Sequence, residues 1–169
     1  MSKGERRAMA TDLAGSGGKI LAGGFSQRLC RRLTECIAAL VALEKIASPI
    51  VPYIAAWREH EKIIWYEYVG ARFLALLGCE RREVDEVFRQ SIVDRRLYRY
   101  ADRESKVEED IVTRAELRGE QASLREEVKK AGAVECVYQL ALPGGKKIWL
   151  KDQANIEVFV EDQICLSMG

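Results

Sequence analysis

The sequence predicts an α+β fold: a five-stranded antiparallel sheet with helices inserted between its second and third strands, preceded by an amphipathic helix. Three observations carry this. Residues 134–169 hold three extended runs separated by Pro143-Gly144-Gly145 and by Glu161-Asp162, the pattern of an antiparallel meander. Residues 50–57 and 63–69 are rich in β-branched and aromatic side chains and flank the polar link 58–62, the pattern of a hairpin. Between these two regions lie apolar clusters at helical spacing, punctuated by glycine.

The chain has 169 residues, enough for one domain with an appendage. Apolar residues make up 48% and charged residues 31%, as in a globular protein. A formal net charge of +1 gives no general electrostatic ground for binding nucleic acid or an anionic membrane surface. The arginines at Arg28, Arg31 and Arg32, and at Arg95, Arg96 and Arg99, read as solvated faces and local ion pairs. Five cysteines (Cys30, Cys36, Cys79, Cys136, Cys165) show no CxxC, zinc or haem-attachment spacing. They read as reduced, mostly buried small hydrophobes of a cytoplasmic protein. No segment resembles a signal peptide or reaches the roughly 18 apolar residues of a membrane span.

Taken in order, residues 1–24 are glycine-rich, charged and aperiodic, a flexible leader. Residues 25–47 form the amphipathic helix, with Ser26 as N-cap. Leu29, Leu33, Cys36, Leu40 and Leu43 then recur at spacings of four and three. That stripe suits two uses, covering the chain's own sheet or pairing with a second copy. Residues 48–169 are the sheet-bearing domain, opened by Ser48-Pro49, which stops the helix. After the hairpin, Phe73, Leu74, Leu76 and Leu77 predict a short helix ended by Gly78, and 82–88 another brief turn. Val107, Ile111 and Ala115, then Leu124 and Val128, predict two surface helices over 101–130, divided at Gly119. The meander follows Gly132.

This order resembles the Per-Arnt-Sim (PAS) domain. The run IIWYEYVGARFLALLGCERREV, residues 63–84, is similar to that family's second strand and the short helix after it, with Gly70, Phe73, Leu77, Gly78, Glu83 and Val84 at the signature places. The run GGKKIWLKDQANIEVFVEDQICLSMG, residues 144–169, is similar to its late strands, with Ile148-Trp149 after the turn. The resemblance spans about 46–169. Gly70 stands where the family has Asn, so that capping bond is lost, and the insert over 103–130 is longer than usual.

The resemblance implies a signal-sensing and dimerisation module of a bacterial signal-transduction protein, a homodimer without enzymatic activity of its own. Its output domain, outside this chain, would be a histidine kinase or a cyclic-dinucleotide enzyme. A small-molecule ligand would lie between the sheet and the short helices, against Phe73, Leu77, Phe88, Tyr138, Leu140 and Leu150. That needs Val134, Cys136, Tyr138, Leu140 and Leu142 to alternate inward, opposite Ile148, Leu150 and Ala154. A filled core without a cavity is the alternative, which would leave a ligand-free interaction module. The outer face would then carry Val137, Trp149 and Phe159. Leu29, Leu33, Leu40, Leu43 and Trp149 form the expected dimer or cover face.

No metal, haem or flavin motif is evident, which leaves the identity of any cofactor open. His60 sits among Glu59, Glu61 and Lys62 and reads as a solvated turn residue, not a haem or metal ligand. A single histidine leaves no Ser-His-Asp or Cys-His set. Cys79 lies in LLGCERRE, outside the photoreactive context of flavin-binding light sensors. Asp94, Asp152 and Glu157 are scattered, without the spacing of a general acid/base pair. A small α+β enzyme is the remaining rival, requiring a buried, pKa-shifted acid or histidine on a cavity.

Overall fold

The computed structural model describes residues 18–59, 61, 63–101, 106–113 and 132–169. Within them the fold is α+β. Strands β1 (Tyr53–Arg58), β2 (Ile64–Val69), β3 (Ile92–Ala101), β4 (Lys106–Thr113), β5 (Ala133–Ala141), β6 (Lys147–Phe159) and β7 (Ile164–Met168) form one sheet, ordered β2-β1-β7-β6-β5-β3-β4. Every pairing is antiparallel. The helices are α1 (Lys19–Ala22), α2 (Gln27–Glu44), α3 (Ala71–Leu77) and α4 (Val84–Ser91).

The described sheet therefore has seven strands, not five, and the difference is the hairpin β3–β4. It begins directly after α4 and adds two strands beyond β5. The expected surface helix carrying Val107 and Ile111 is corrected: Lys106–Thr113 is strand. A spacing of four residues satisfies a period of 2 as well as one of 3.6, so two apolar residues do not separate the alternatives. The rest of that expected helical region, 102–105 and 114–130, lies outside the described residues, as do His60 and residues 1–17 of the leader.

The expected hairpin, short helices and meander stand where periodicity and punctuation put them. Gly78 ends α3 in the left-handed conformation, φ 65°, and its N–H donates to the Leu74 carbonyl. Gly169 continues the β1–β7 ladder by exchanging backbone bonds with Tyr53, and a Cβ there would meet the Tyr53 ring at 2.8 Å.

Helix α2 lies on one face of the sheet, over β1, β2, β7 and the end of β6. Leu29, Leu33 and Ile37 pack there with Ile20, Ile54, Ala56, Phe159, Ile164 and Leu166. Each such aliphatic side chain, fully buried, contributes about 1.5–3 kcal/mol over an exposed one. The leucine stripe is thus used within the chain at Leu29 and Leu33, with Leu40 packed at the margin and Leu43 partly buried. The amphipathic helix and the sheet share one core. Residues 18–24 also belong to it: Ile20 is fully buried and donates its N–H to Glu67 Oε1 at 3.0 Å. That part of the expected leader is packed structure.

A bulge in β2 makes room for this contact. Ala55 pairs with Tyr66 and Ile54 with Tyr68, so Glu67 is the extra residue. Trp65 and Tyr68 both join the α2 core, and Glu67 also accepts from Trp65 Nε1.

Three polar ties set the position of α2. Ser26 caps it, accepting from Leu29 N at 3.2 Å, and Asp162 in the β6–β7 turn accepts from Ser26 N (2.8 Å) and Oγ (2.6 Å). Arg32 meets Glu157 of β6 through a two-pronged bond, Nε at 2.9 Å from each oxygen. At the other end Arg72, in the first turn of α3, donates to the carbonyls of Glu44, Ile46 and Ser48. Glu44 in turn accepts from Tyr68 Oη at 2.9 Å and from Arg72 N at 3.4 Å. Gly70 supplies no side-chain cap to α3, and the Glu44 carboxylate occupies the space its Cβ would need.

Trp149 lies beyond the reach of α2 and is corrected as part of the helix-covered face. It is 47% exposed, with the Arg96 guanidinium 4.4 Å from its ring centre. Phe159, expected on the same outer strip, is buried under α2.

Candidate functional site

The opposite face of the sheet carries α3 and α4, and here the residues expected to line a pocket come together. Pairing sets Tyr138 opposite Leu150 and Leu140 opposite Ile148. Phe73 and Leu77 of α3 are buried with Val69 and Val84, and Phe88 of α4 packs against that cluster. Phe73 and Phe88 meet edge to face at 5.4 Å, and Phe88 meets Tyr138 the same way at 5.6 Å. The row continues through Phe73 to Tyr53 and Tyr66, each 6.4 Å away. Leu140 is fully buried and Leu150 partly so.

Six polar or titratable residues share this face, and of them sequence reasoning placed only Cys136 here. Tyr53 of β1 reaches across β7 and donates to Asp152 Oδ1 of β6 at 2.7 Å. The ring crosses where the neighbouring residues are small, Gly169 and Ala154. Ser167 of β7 neighbours the same phenol, Tyr66 of β2 lies 5.9 Å from the Tyr53 ring, and Cys136 pairs with Asp152 across β5 and β6. Arg95 of β3 pairs with Tyr138 and holds its guanidinium 5.6 Å from that ring.

Burial dominates the electrostatics. It pushes the Tyr53, Tyr66 and Tyr138 phenols and the Cys136 thiol above their ordinary values. It also holds Asp152 above the usual aspartate range, although the Tyr53 bond and the Arg95 charge pull the other way. For Arg95 burial works against the charge, but the neighbouring Tyr138, Cys136 and Asp152 outweigh it. Yet Tyr53, Tyr66, Tyr138, Asp152, Phe88 and Leu150 all keep part of their surface accessible. These side chains are thus strongly desolvated and still partly open.

One stability prediction follows. Asp152 is raised in the folded state, so its contribution is fully present below about pH 4, the unfolded aspartate value, and is lost as pH rises through the folded value. Asp152→Asn should remove this loss, so that urea denaturation shows the variant gaining on the native protein with rising pH. Parallel pH profiles would show that Asp152 is not a desolvated acid.

The face holds no legible sequence signal beyond its aromatic and apolar members, because Tyr53 and Asp152 lie far apart along the chain and meet only through the order β1-β7-β6. Among the described residues no cluster of histidine, cysteine and carboxylates could hold a metal ion, and no helix is long and apolar enough to cross a membrane. Comparison with family models, with curated proteins and with solved structures gives no match.

Proposed function

We propose that this chain is a PAS-like sensory and dimerisation module of a cytoplasmic signal-transduction protein, whose output domain is a histidine kinase or a cyclic-dinucleotide enzyme. The observation that carries the reading is the enclosed row of aromatic and polar side chains between the sheet and α3–α4, desolvated yet partly open. The arrangement of elements supports the PAS likeness. Setting aside the β3–β4 hairpin leaves five antiparallel strands with α3 and α4 between the second and third.

The route from ligand to output runs through the Glu44–Arg72 exchange. Phe73, which belongs to this aromatic row, follows Arg72 directly, so a ligand that moves α3 must also change the contacts closing the end of α2. A ligand can shift α2 to a second position only by binding that position better. Homodimerisation is part of the proposal, and the C-terminal half of α2, where Val41 is exposed and Leu43 partly so, is the available part of the leucine stripe.

A second reading, a small enzyme, draws on Asp152 as a buried acid above its usual range. Native mass spectrometry of freshly purified protein, with light scattering, tests the first. A dimer carrying a small molecule that denaturation releases unchanged is expected. A monomer that sheds no such mass would overturn the proposal.

A further inference from the structure

We propose that the outward face of α2 around Ala38 and Ala42 packs against the same face of a second copy, the two helices running antiparallel across a two-fold axis at the level of Leu40. This seam deepens the homodimerisation proposed above and rests on it.

Helix α2 changes character halfway along. Its exposed side is polar as far as Glu35, with Arg28, Arg31 and Thr34 open to solvent. From Ile37 to Leu43 the sequence is IAALVAL, so this part of the helix is apolar all round. A helix of that kind is ordinarily covered on every side. Yet no residue of α2 past Ile37 is buried. Leu40 packs at the margin of the α2 core and Leu43 is partly buried, while Ala38, Ala39, Val41 and Ala42 stay exposed. Just beyond the helix Ile46 is 58% exposed, which extends the same apolar surface.

This face is complementary to itself. Glu35, Ala38, Ala42 and Lys45 recur at spacings of three, four and three, one stripe on the side of the helix away from Leu29 and Leu33. In an antiparallel pair a residue meets the one lying equally far beyond the crossing point. A crossing at residue 40 therefore sets Ala38 against Ala42 and Glu35 against Lys45, each contact made twice by the two-fold axis. Alanine at the crossing brings the axes to the near end of the roughly 8–10 Å range of packed helices. Both charges are exposed and neither makes an ion pair among the described residues; Glu35 acts on Arg32 and Cys36 only through its charge. A parallel pair along this stripe would set Glu35 against Glu35 and Lys45 against Lys45, so the charges select the antiparallel arrangement of a second copy.

Sedimentation equilibrium on the full chain tests this, and the native protein is expected to be a dimer. Ala42→Glu puts a carboxylate where the two helices touch and should weaken the dimer about a hundredfold or more. Lys45→Glu and Glu35→Lys each turn two opposite pairs into two like ones and should weaken it about tenfold or more. The double variant restores both pairs in reverse and should return to within about threefold of the native dissociation constant. These residues are exposed in the single chain, so the variants should keep the native circular dichroism spectrum. A dimer that Ala42→Glu leaves unchanged overturns the seam and leaves homodimerisation through another surface standing. A dimer that the single charge swaps weaken and the double variant does not restore overturns the antiparallel register. A native protein that stays monomeric at every concentration reached overturns the seam together with homodimerisation.

Discussion

Leu33→Asp is expected to unfold the protein, lowering stability by about 4 kcal/mol or more, because it sets a carboxylate into an apolar core with no partner. Leu33 is fully buried between α2 and the sheet, among Leu29, Ile37, Ile54 and Ile164. Val41 lies on the same helix but is 36% exposed, so Val41→Asp should change the stability of the single chain by less than about 1 kcal/mol. Urea denaturation followed by circular dichroism measures both. The comparison also separates the two uses of the leucine stripe. If Leu33→Asp keeps its native spectrum and stability and only halves its mass in light scattering, the stripe is a seam between copies and not a cover for the sheet.

Phe73→Ala is expected to cost about 3–5 kcal/mol, the range for removing a large aromatic side chain from a core. Phe73 is 2% exposed and makes ring contacts with Tyr53, Tyr66 and Phe88. Its loss takes away transfer energy and three ring contacts together and leaves α3 attached through Leu77 and the Arg72–Glu44 exchange. Phe73→Leu should keep more than half of the stability lost by the alanine variant. Chemical denaturation gives the values, and a loss below about 1 kcal/mol for Phe73→Ala would show that this ring does not hold the aromatic cluster together.

Elements with a complete local signal were legible. Ser26 before a four-three apolar stripe marks the start of α2, and the cap bond to Leu29 N stands there. Gly78 after an apolar cluster marks the end of α3, and alternation across Pro143-Gly144-Gly145 sets β5 against β6 with Tyr138 opposite Leu150. The β3–β4 hairpin was not legible. Its sequences, IVDRRLYRYA and KVEEDIVT, are dense in charge, and their few apolar residues fit either period. Part of the candidate site was legible for the same reason: Phe73, Leu77 and Phe88 are apolar residues of the short helices, and Tyr138, Leu140 and Leu150 alternate along their strands. Tyr53, Arg95 and Asp152 were not, since nothing local marks a polar side chain that points inward.

By itself the sequence determined the α+β class, the caps, the meander and which side of each late strand turns toward the short helices, because these depend on neighbours within a few residues. Only the tertiary structure decided what α2 covers. An apolar stripe can seat on any apolar sheet face, and the strand order together with the extra residue at Glu67 puts β1, β2 and β7 beneath it while leaving Trp149 to stack on Arg96. The buried polar group was decided the same way. Tyr53 meets Asp152, and Arg95 comes beside Tyr138, through pairings between strands distant in the chain. Sheet order is a long-range choice, won by the total apolar area the layers bury and carried by no single residue's pattern.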